Sequence, residues 1–161
     1  MREVRLPPNV AGRLYLHSMP GRNEPFEEVR VAISDKKIGR VVCLAPRDEI
    51  RKKSPDYYAA LVRGVPWTRV EFPITDYGVP DDRMAFLILA QDTASALRGG
   101  ERILIHCGAG IGRTGTLAVA VLLNLDYALL DAGKIVKAAG SGPETEGQSA
   151  LLEWIAAGGP M

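Results

Sequence analysis

The segment ILIHCGAGIGRTGT, Ile103 to Thr116, passes from an apolar run of strand length through a glycine-rich turn into a stretch of helical character. Successive glycines free backbone N–H groups to point inward, and the N-terminus of the helix adds partial positive charge, so such a turn is suited to hold a phosphate. A loop that only binds has no need of a cysteine, and Cys107 stands at its entrance.

Working outward, further strand-length apolar runs lie at residues 13–17, 40–45 and 68–74, with the run before the turn at 102–106, each bounded by Gly, Pro or charged residues. Segments of helical period alternate with them. Residues 24–37 end before Gly39 as a C-cap, residues 48–63 are broken near Pro55, and residues 81–97 begin with Asp81 or Asp82 as N-cap and end at Gly99 and Gly100. Residues 114–125 are almost wholly apolar, which predicts a helix buried on most sides. Two more helices are predicted at 128–139 and 146–157. Alternating strands and helices predict an α/β fold, a single domain with a central, mostly parallel sheet flanked by helices.

The bulk composition agrees with that frame. A chain of 161 residues supports one domain, taken here as 1–161 with its core at about 13–157. Of its residues 47% are apolar and 24% charged, which excludes a disordered chain. The net charge is +1, and the basic residues are scattered, so no nucleic-acid footprint is visible; the cluster Arg51-Lys52-Lys53 reads as a solvated helix face. No apolar run approaches the roughly 20 residues of a membrane span, and the opening MREVRLPPNV lacks the apolar core of a secretory signal. The two cysteines, Cys43 and Cys107, make no disulfide framework, which predicts a reducing, cytoplasmic setting and at least one free thiol.

Three readings compete for the turn. Gly110-Ile111-Gly112-Arg113-Thr114-Gly115 satisfies G-x-G-x-x-G, with Asp131 downstream, but too little chain follows for the rest of a dinucleotide unit. A tight turn around an inert, buried cysteine leaves Arg113 unexplained. The third reading uses every residue. The backbone of Gly108, Ala109, Gly110, Ile111, Gly112 and Arg113 curls around a tetrahedral oxyanion, and the Arg113 guanidinium closes it with a fork matching two oxygens. The same amides, the helix terminus and the guanidinium favour negative charge on Cys107, which then faces phosphorus as an in-line thiolate nucleophile.

The run His106-Cys107-Gly108-Ala109-Gly110-Ile111-Gly112-Arg113-Thr114 closely resembles the His-Cys-x-x-Gly-x-x-Arg-Ser/Thr signature of the cysteine-dependent protein tyrosine phosphatases. The resemblance implies a phosphocysteine intermediate on Cys107, transition-state stabilisation by Arg113, and a Thr114 hydroxyl that assists the thiolate as leaving group. It also implies a His106 that orders the loop and tunes the thiol; a plain imidazole satisfied by backbone is the alternative.

An ester leaving group needs a general acid opposite the nucleophile. Phe72-Pro73-Ile74-Thr75-Asp76-Tyr77-Gly78-Val79-Pro80 resembles the mobile acid loop of these enzymes, with Asp76 in the acid position and Gly78 as a flex point. Glu144-Thr145-Glu146-Gly147-Gln148 resembles their Gln-loop, making Gln148 the residue that orients the hydrolytic water. The Arg-Pro-Gly-Ala segment that commonly precedes this motif is here Gly140-Ser141-Gly142-Pro143, with no arginine. Ser18 to Arg22 reads as a turn ending the first strand, with Arg22 at the pocket mouth as the alternative. Cys43 reads as a core residue; the resemblance raises a reversible disulfide with Cys107 as the other possibility.

The small size matches the compact dual-specificity group, and no deepening recognition loop is found, so the resemblance implies a phosphorylated protein or peptide as substrate. The lysines that lipid-phosphatase members carry in the signature loop are replaced by Gly108, Ala109, Ile111 and Gly112, which disfavours phosphoinositides on charge grounds. A catalytically silent phosphate-binding module is the rival from another class. No metal or other cofactor is expected, since the chain has only two histidines, His17 and His106.

Overall fold

The computed structural model describes residues 1–160. In chain order its elements are β1 (Arg2–Val4), β2 (Arg13–His17), α1 (Phe26–Asp35), β3 (Arg40–Cys43), α2 (Arg47–Lys53), α3 (Pro55–Arg63), β4 (Thr68–Glu71), α4 (Arg83–Arg98), β5 (Arg102–His106), α5 (Gly112–Leu123), α6 (Leu129–Ala138) and α7 (Glu146–Ala156). The five strands form one sheet in the order β1-β2-β5-β3-β4. β2, β5, β3 and β4 are mutually parallel, and only the edge strand β1 runs antiparallel. β5 is therefore central, and its C-terminal end is where an α/β sheet collects ligands.

Period-two alternation divides the core. Leu14, Leu16, Val42, Ile103 and Ile105 face a layer built from α4, α5, α6 and α7, with Phe86, Val136 and Leu152 among its members. Tyr15, Val41, Cys43 and Leu104 face the opposite layer of α1, α2 and α3, with Val29, Ile50 and Tyr57. α5 is buried on nearly all sides, as its unbroken apolar sequence requires, because α4, α6 and α7 all pack around it.

Several boundaries differ from the sequence expectation, each for a local reason. β1 was not foreseen; three residues with alternating charge carry no strand signal, and pairing with β2 makes the strand. β4 stops at Glu71, short of Pro73. α1 ends with Lys36 as C-cap and Lys37 in the left-handed region at φ 56°, so Gly39 caps nothing and instead donates its N–H to Arg102 at the start of the sheet. The break at Pro55 does separate α2 from α3, and Asp82 caps α4 by accepting from the Ala85 N–H.

Candidate active site

No strand follows the glycine turn among the described residues, so the dinucleotide reading has no βαβ unit to sit in. The turn joins central β5 to buried α5 and forms a closed cradle. Its carbonyls are tied down on the outside. Cys107 O accepts from His106 Nδ1 (3.2 Å), Gly108 O from Met19 N (2.9 Å), Gly110 O from Ser141 Oγ (2.6 Å), and Ile111 O from Gly115 N (2.7 Å) and Gly142 N (3.2 Å). No backbone N–H of residues 108–113 donates to a protein acceptor among the described residues. Six donors in one short loop, left without partners while the carbonyls of Cys107, Gly108, Gly110 and Ile111 are satisfied, are suited to an anion.

Glycine matters at two places in it. Gly110 has φ 76°, a left-handed conformation that side chains rarely adopt. At Gly108, a Cβ would lie 2.6 Å from Glu49 Oε2 and 3.0 Å from Arg113 Nη2, so a side chain there would shift the ends of these charged groups.

Arg113 sits in the first turn of α5 and is almost wholly buried, at 2% exposure. A guanidinium in such a place is costly unless paired. Glu49 of α2 holds it bidentately, Nη1–Oε1 3.0 Å and Nη2–Oε2 2.9 Å, and Nη1 also donates to Ile74 O at 2.7 Å. Burial by itself would lower the Arg113 pKa, but the Glu49 hydrogen bonds and the charges of Cys107, Glu49 and Asp76 more than offset it and raise the pKa. The buried Nε has no partner. The end-on fork is thus spent on Glu49, and Nε, on the side-on edge it shares with Nη2, keeps its N–H without a partner among the described residues. This refines the expected fork geometry.

Asp76 lies 3.2 Å from Arg113 Nη2 as a half-exposed ion pair, so the acid-loop carboxylate reaches that same edge. The loop holds it there by a turn in which Gly78 N donates to Thr75 O (2.7 Å) and Tyr77 takes φ 61°. The left-handed residue is Tyr77, where Gly78 was expected to provide the flexibility; a non-glycine residue there stores about 1–3 kcal/mol.

His106 is fully buried, with its Nε2 2.8 Å from the Tyr57 hydroxyl. Desolvation lowers its pKa to about 4, so it is neutral near pH 7. Nδ1–H then donates to Cys107 O, and Nε2 accepts from Tyr57. Its contact with the loop is this hydrogen bond to the Cys107 carbonyl. Thr114 Oγ1 is buried without a partner at the start of α5. Gln148 is buried and engaged at both ends of its amide, Oε1 accepting from Glu144 N (2.7 Å) and Nε2 donating to Gly78 O (3.1 Å). It therefore ties α7 to the acid loop, with one amide hydrogen left over.

Arg22 combines both expectations: its N–H closes a turn onto Met19 O (3.0 Å), and its side chain comes over the cradle, with Nη1 3.3 Å from where a Gly108 Cβ would stand. Cys43 is on the other face. In the β3–β5 register it opposes His106, its Sγ donates to Ala45 O (3.5 Å), and burial pushes its pKa up to about 12. The residue beyond it, Leu44, shares the core layer of Cys107. Sequence reasoning missed Glu49 and Tyr57: both lie in α2 and α3, remote from any motif, and only the tertiary fold brings them to the loop. No group of three or more His, Cys, Asp or Glu side chains that could hold a metal occurs among the described residues.

A parallel sheet whose central strand delivers a cysteine into an amide cradle closed by an arginine defines a cysteine-type phosphatase scaffold. The chain belongs to the family described as "PTP-SAK: Swiss Army Knife protein, DSP-PTPase phosphatase domain", which matches residues 10–150. It is similar to Tyrosine-protein phosphatase 1 of Caenorhabditis elegans, 46% identical over 43 residues, which make up 26% of this chain and 4% of that protein. This chain therefore spans only a small part of that relative's length. Among solved structures it superposes on kinase associated phosphatase carrying a serine at the catalytic cysteine, with a TM-score of 0.74 at 18% identity over 91% of this chain and 86% of that one. Tk-PTP in its active form matches with a TM-score of 0.67 at 24% identity over 94% of this chain and 99% of that one. These two likenesses show the fold.

Proposed function

We propose that this chain hydrolyses phosphomonoesters on proteins or peptides, phosphotyrosine and phosphoserine or phosphothreonine alike, through a phosphocysteine intermediate. The observation that carries the reading is the partnerless Nε of a buried guanidinium beside six free amides and a thiol: Arg113 Nε and residues 108–113 leave donors for the oxygens of one tetrahedral dianion.

In the first half-reaction the Cys107 thiolate attacks phosphorus in line, the P–O ester bond breaks, and protonated Asp76 gives its proton to the leaving oxygen. Arg113 and the loop amides bind the equatorial oxygens as charge develops. In the second, water attacks the phosphocysteine, Asp76 takes its proton, and the P–S bond breaks with the Thr114 hydroxyl assisting the departing thiolate. Gln148 stands at the acid loop, in reach of that water's approach. His106 keeps the loop ordered.

The rim favours a protein substrate over a polyanionic headgroup. Tyr77, Val79 and Ile111 are exposed apolar side chains on the acid and signature loops, at 64%, 44% and 40%. They suit an aromatic or aliphatic ester, and Arg22 adds an exposed cation near Gly108. No helix is long and apolar enough to cross a membrane among the described residues. Two free thiols fit a cytoplasmic setting, and the catalytic unit is taken as the core at about 13–157.

The test is Cys107→Ser. Turnover of p-nitrophenyl phosphate should vanish while phosphopeptide binding persists, and acid quenching of the wild type should trap a phosphorylated thiol at position 107. Substantial residual turnover would assign the nucleophile elsewhere, and binding without turnover in the wild type would leave the silent module. Comparing kcat/KM for phosphotyrosyl, phosphothreonyl and inositol phosphate substrates decides the substrate class.

A further inference from the structure

The segment before the Gln-loop lacks an arginine in sequence, yet a guanidinium stands against it in space. It comes from β1. Arg2 opposes Leu16 in the antiparallel β1–β2 pair, and β2 runs beside β5 with His17 opposite His106. The start of β1 therefore lies at the same end of the sheet as the cradle.

The half-buried Arg2 side chain makes three hydrogen bonds there: Nη1 to Ala139 O (2.9 Å) and to Ser141 Oγ (3.0 Å), and Nη2 to Gly110 O (2.7 Å). Ser141 Oγ in turn donates to the same Gly110 carbonyl. One carbonyl of the cradle is thus held by two donors, one of them cationic. It belongs to the residue with φ 76°, where the peptide plane has the least steric reason to stay put. If the plane between Gly110 and Ile111 turned over, an inward N–H would be exchanged for an inward carbonyl oxygen, which repels phosphate. A cation on the outer oxygen also polarises the peptide and strengthens its N–H as a donor. Desolvation lowers the Arg2 pKa, while the nearby Cys107 thiolate favours its charged form, so the two groups are in electrostatic reach.

We propose that Arg2 is a positioning residue of the phosphate site, which, through Gly110 and with Ser141, locks the signature loop with its amides inward. The proposal rests on the reading of this site as a phosphatase's.

The experiment compares Arg2→Met, Arg2→Lys and Ser141→Ala in the full chain. Three quantities are read: the inhibition constant of inorganic phosphate, the pH midpoint of Cys107 alkylation by iodoacetamide, and the split of kcat against KM for p-nitrophenyl phosphate. Loss of a charge-assisted bond predicts that Arg2→Met weakens phosphate binding by about tenfold and moves the alkylation midpoint upward. Arg2→Lys should recover part of both, and Ser141→Ala should show a smaller shift in the same direction. A merely structural arginine would lower the melting temperature and leave phosphate affinity and the alkylation midpoint at wild-type values; that result overturns the proposal. Should Arg2→Met not fold, the Lys and Ser141→Ala proteins decide by the same readouts. A wild type that alkylates and binds phosphate but turns over nothing would sink the functional reading while these comparisons still judge Arg2.

Discussion

Glu49 grips Arg113 by both terminal nitrogens, at 3.0 and 2.9 Å, which leaves Nε as the guanidinium's one nitrogen without a partner among the described residues. The pair is asymmetric in exposure, the arginine side chain at 1% and the glutamate at 13%, so the carboxylate is a wall of the site as well as a partner. Lys53 braces it from one turn further along α2, 3.4 Å away. Burial would raise the Glu49 pKa, but the Arg113 hydrogen bonds and charge, with Lys53, prevail and lower it.

Glu49→Gln should therefore reduce kcat/KM for aryl phosphates by about 10–10²-fold, the size expected when a catalytic group is misplaced by about 1 Å. The loss should fall on kcat more than on KM, because the amide removes a negative charge beside the cradle and thereby favours anion binding. Steady-state kinetics with p-nitrophenyl phosphate checks this. A pure KM effect would place Glu49 outside the transition-state geometry.

Asp76 pairs with Nη2 of Arg113 in this structure, at 3.2 Å. Asp76→Asn should lower kcat by about 10²–10⁴ and flatten the basic limb of the pH–rate profile. It should also tighten vanadate or phosphate binding, since the anion no longer displaces a carboxylate. The rate loss should be greater for phenyl phosphate than for p-nitrophenyl phosphate, whose leaving group needs less protonation. An unchanged basic limb would move the acid role elsewhere, although Asp82 is already committed to the α4 cap.

The parts of this site that share a sequence segment were legible. Cys107, Arg113 and the glycines lie in one run because a single strand-to-helix turn brings thiol, amides and guanidinium together. Asp76 was legible because its loop has its own Gly and Pro punctuation. Glu49, Tyr57 and Arg2 were not. Each sits in an ordinary element and reaches the loop only because the order β1-β2-β5-β3-β4 surrounds β5 with partners distant in sequence. The helices were legible to within a few residues, since burial of one face writes a period into the chain, whereas β1 exists by pairing alone and left no such trace.

His106 links the site to stability. Its pKa, 6.5 when unfolded, falls to about 4 in the fold because the charged form cannot be solvated there. Between these values the unfolded chain binds the extra proton, so stability falls as pH drops from about 6.5 to about 4, by roughly 3 kcal/mol in total for this one group. His106→Asn should lessen that slope in urea unfolding measured across the interval, leaving the contribution of His17, whose pKa burial also lowers. An identical slope in the variant would mean that His106 binds its proton equally well in the folded and the unfolded chain, so that burial does not hold it neutral.

The two cysteines should respond to oxidant independently. Strand alternation sends Cys43 into the layer with Val29 and Tyr57, and Cys107 into the layer with Phe86 and Leu117, so the sheet itself lies between their environments. The Cys43 thiol, pushed up to about 12, offers almost no thiolate at neutral pH to attack a sulfenic acid on Cys107. Mild peroxide should therefore carry Cys107 to sulfenic and then sulfinic acid, and Cys43→Ala should inactivate at the wild-type rate with the same recovery by thiol. Mass spectrometry of the oxidised protein checks this directly: a bridged peptide containing both residues would show that the two thiols meet under oxidation and that they are not independent.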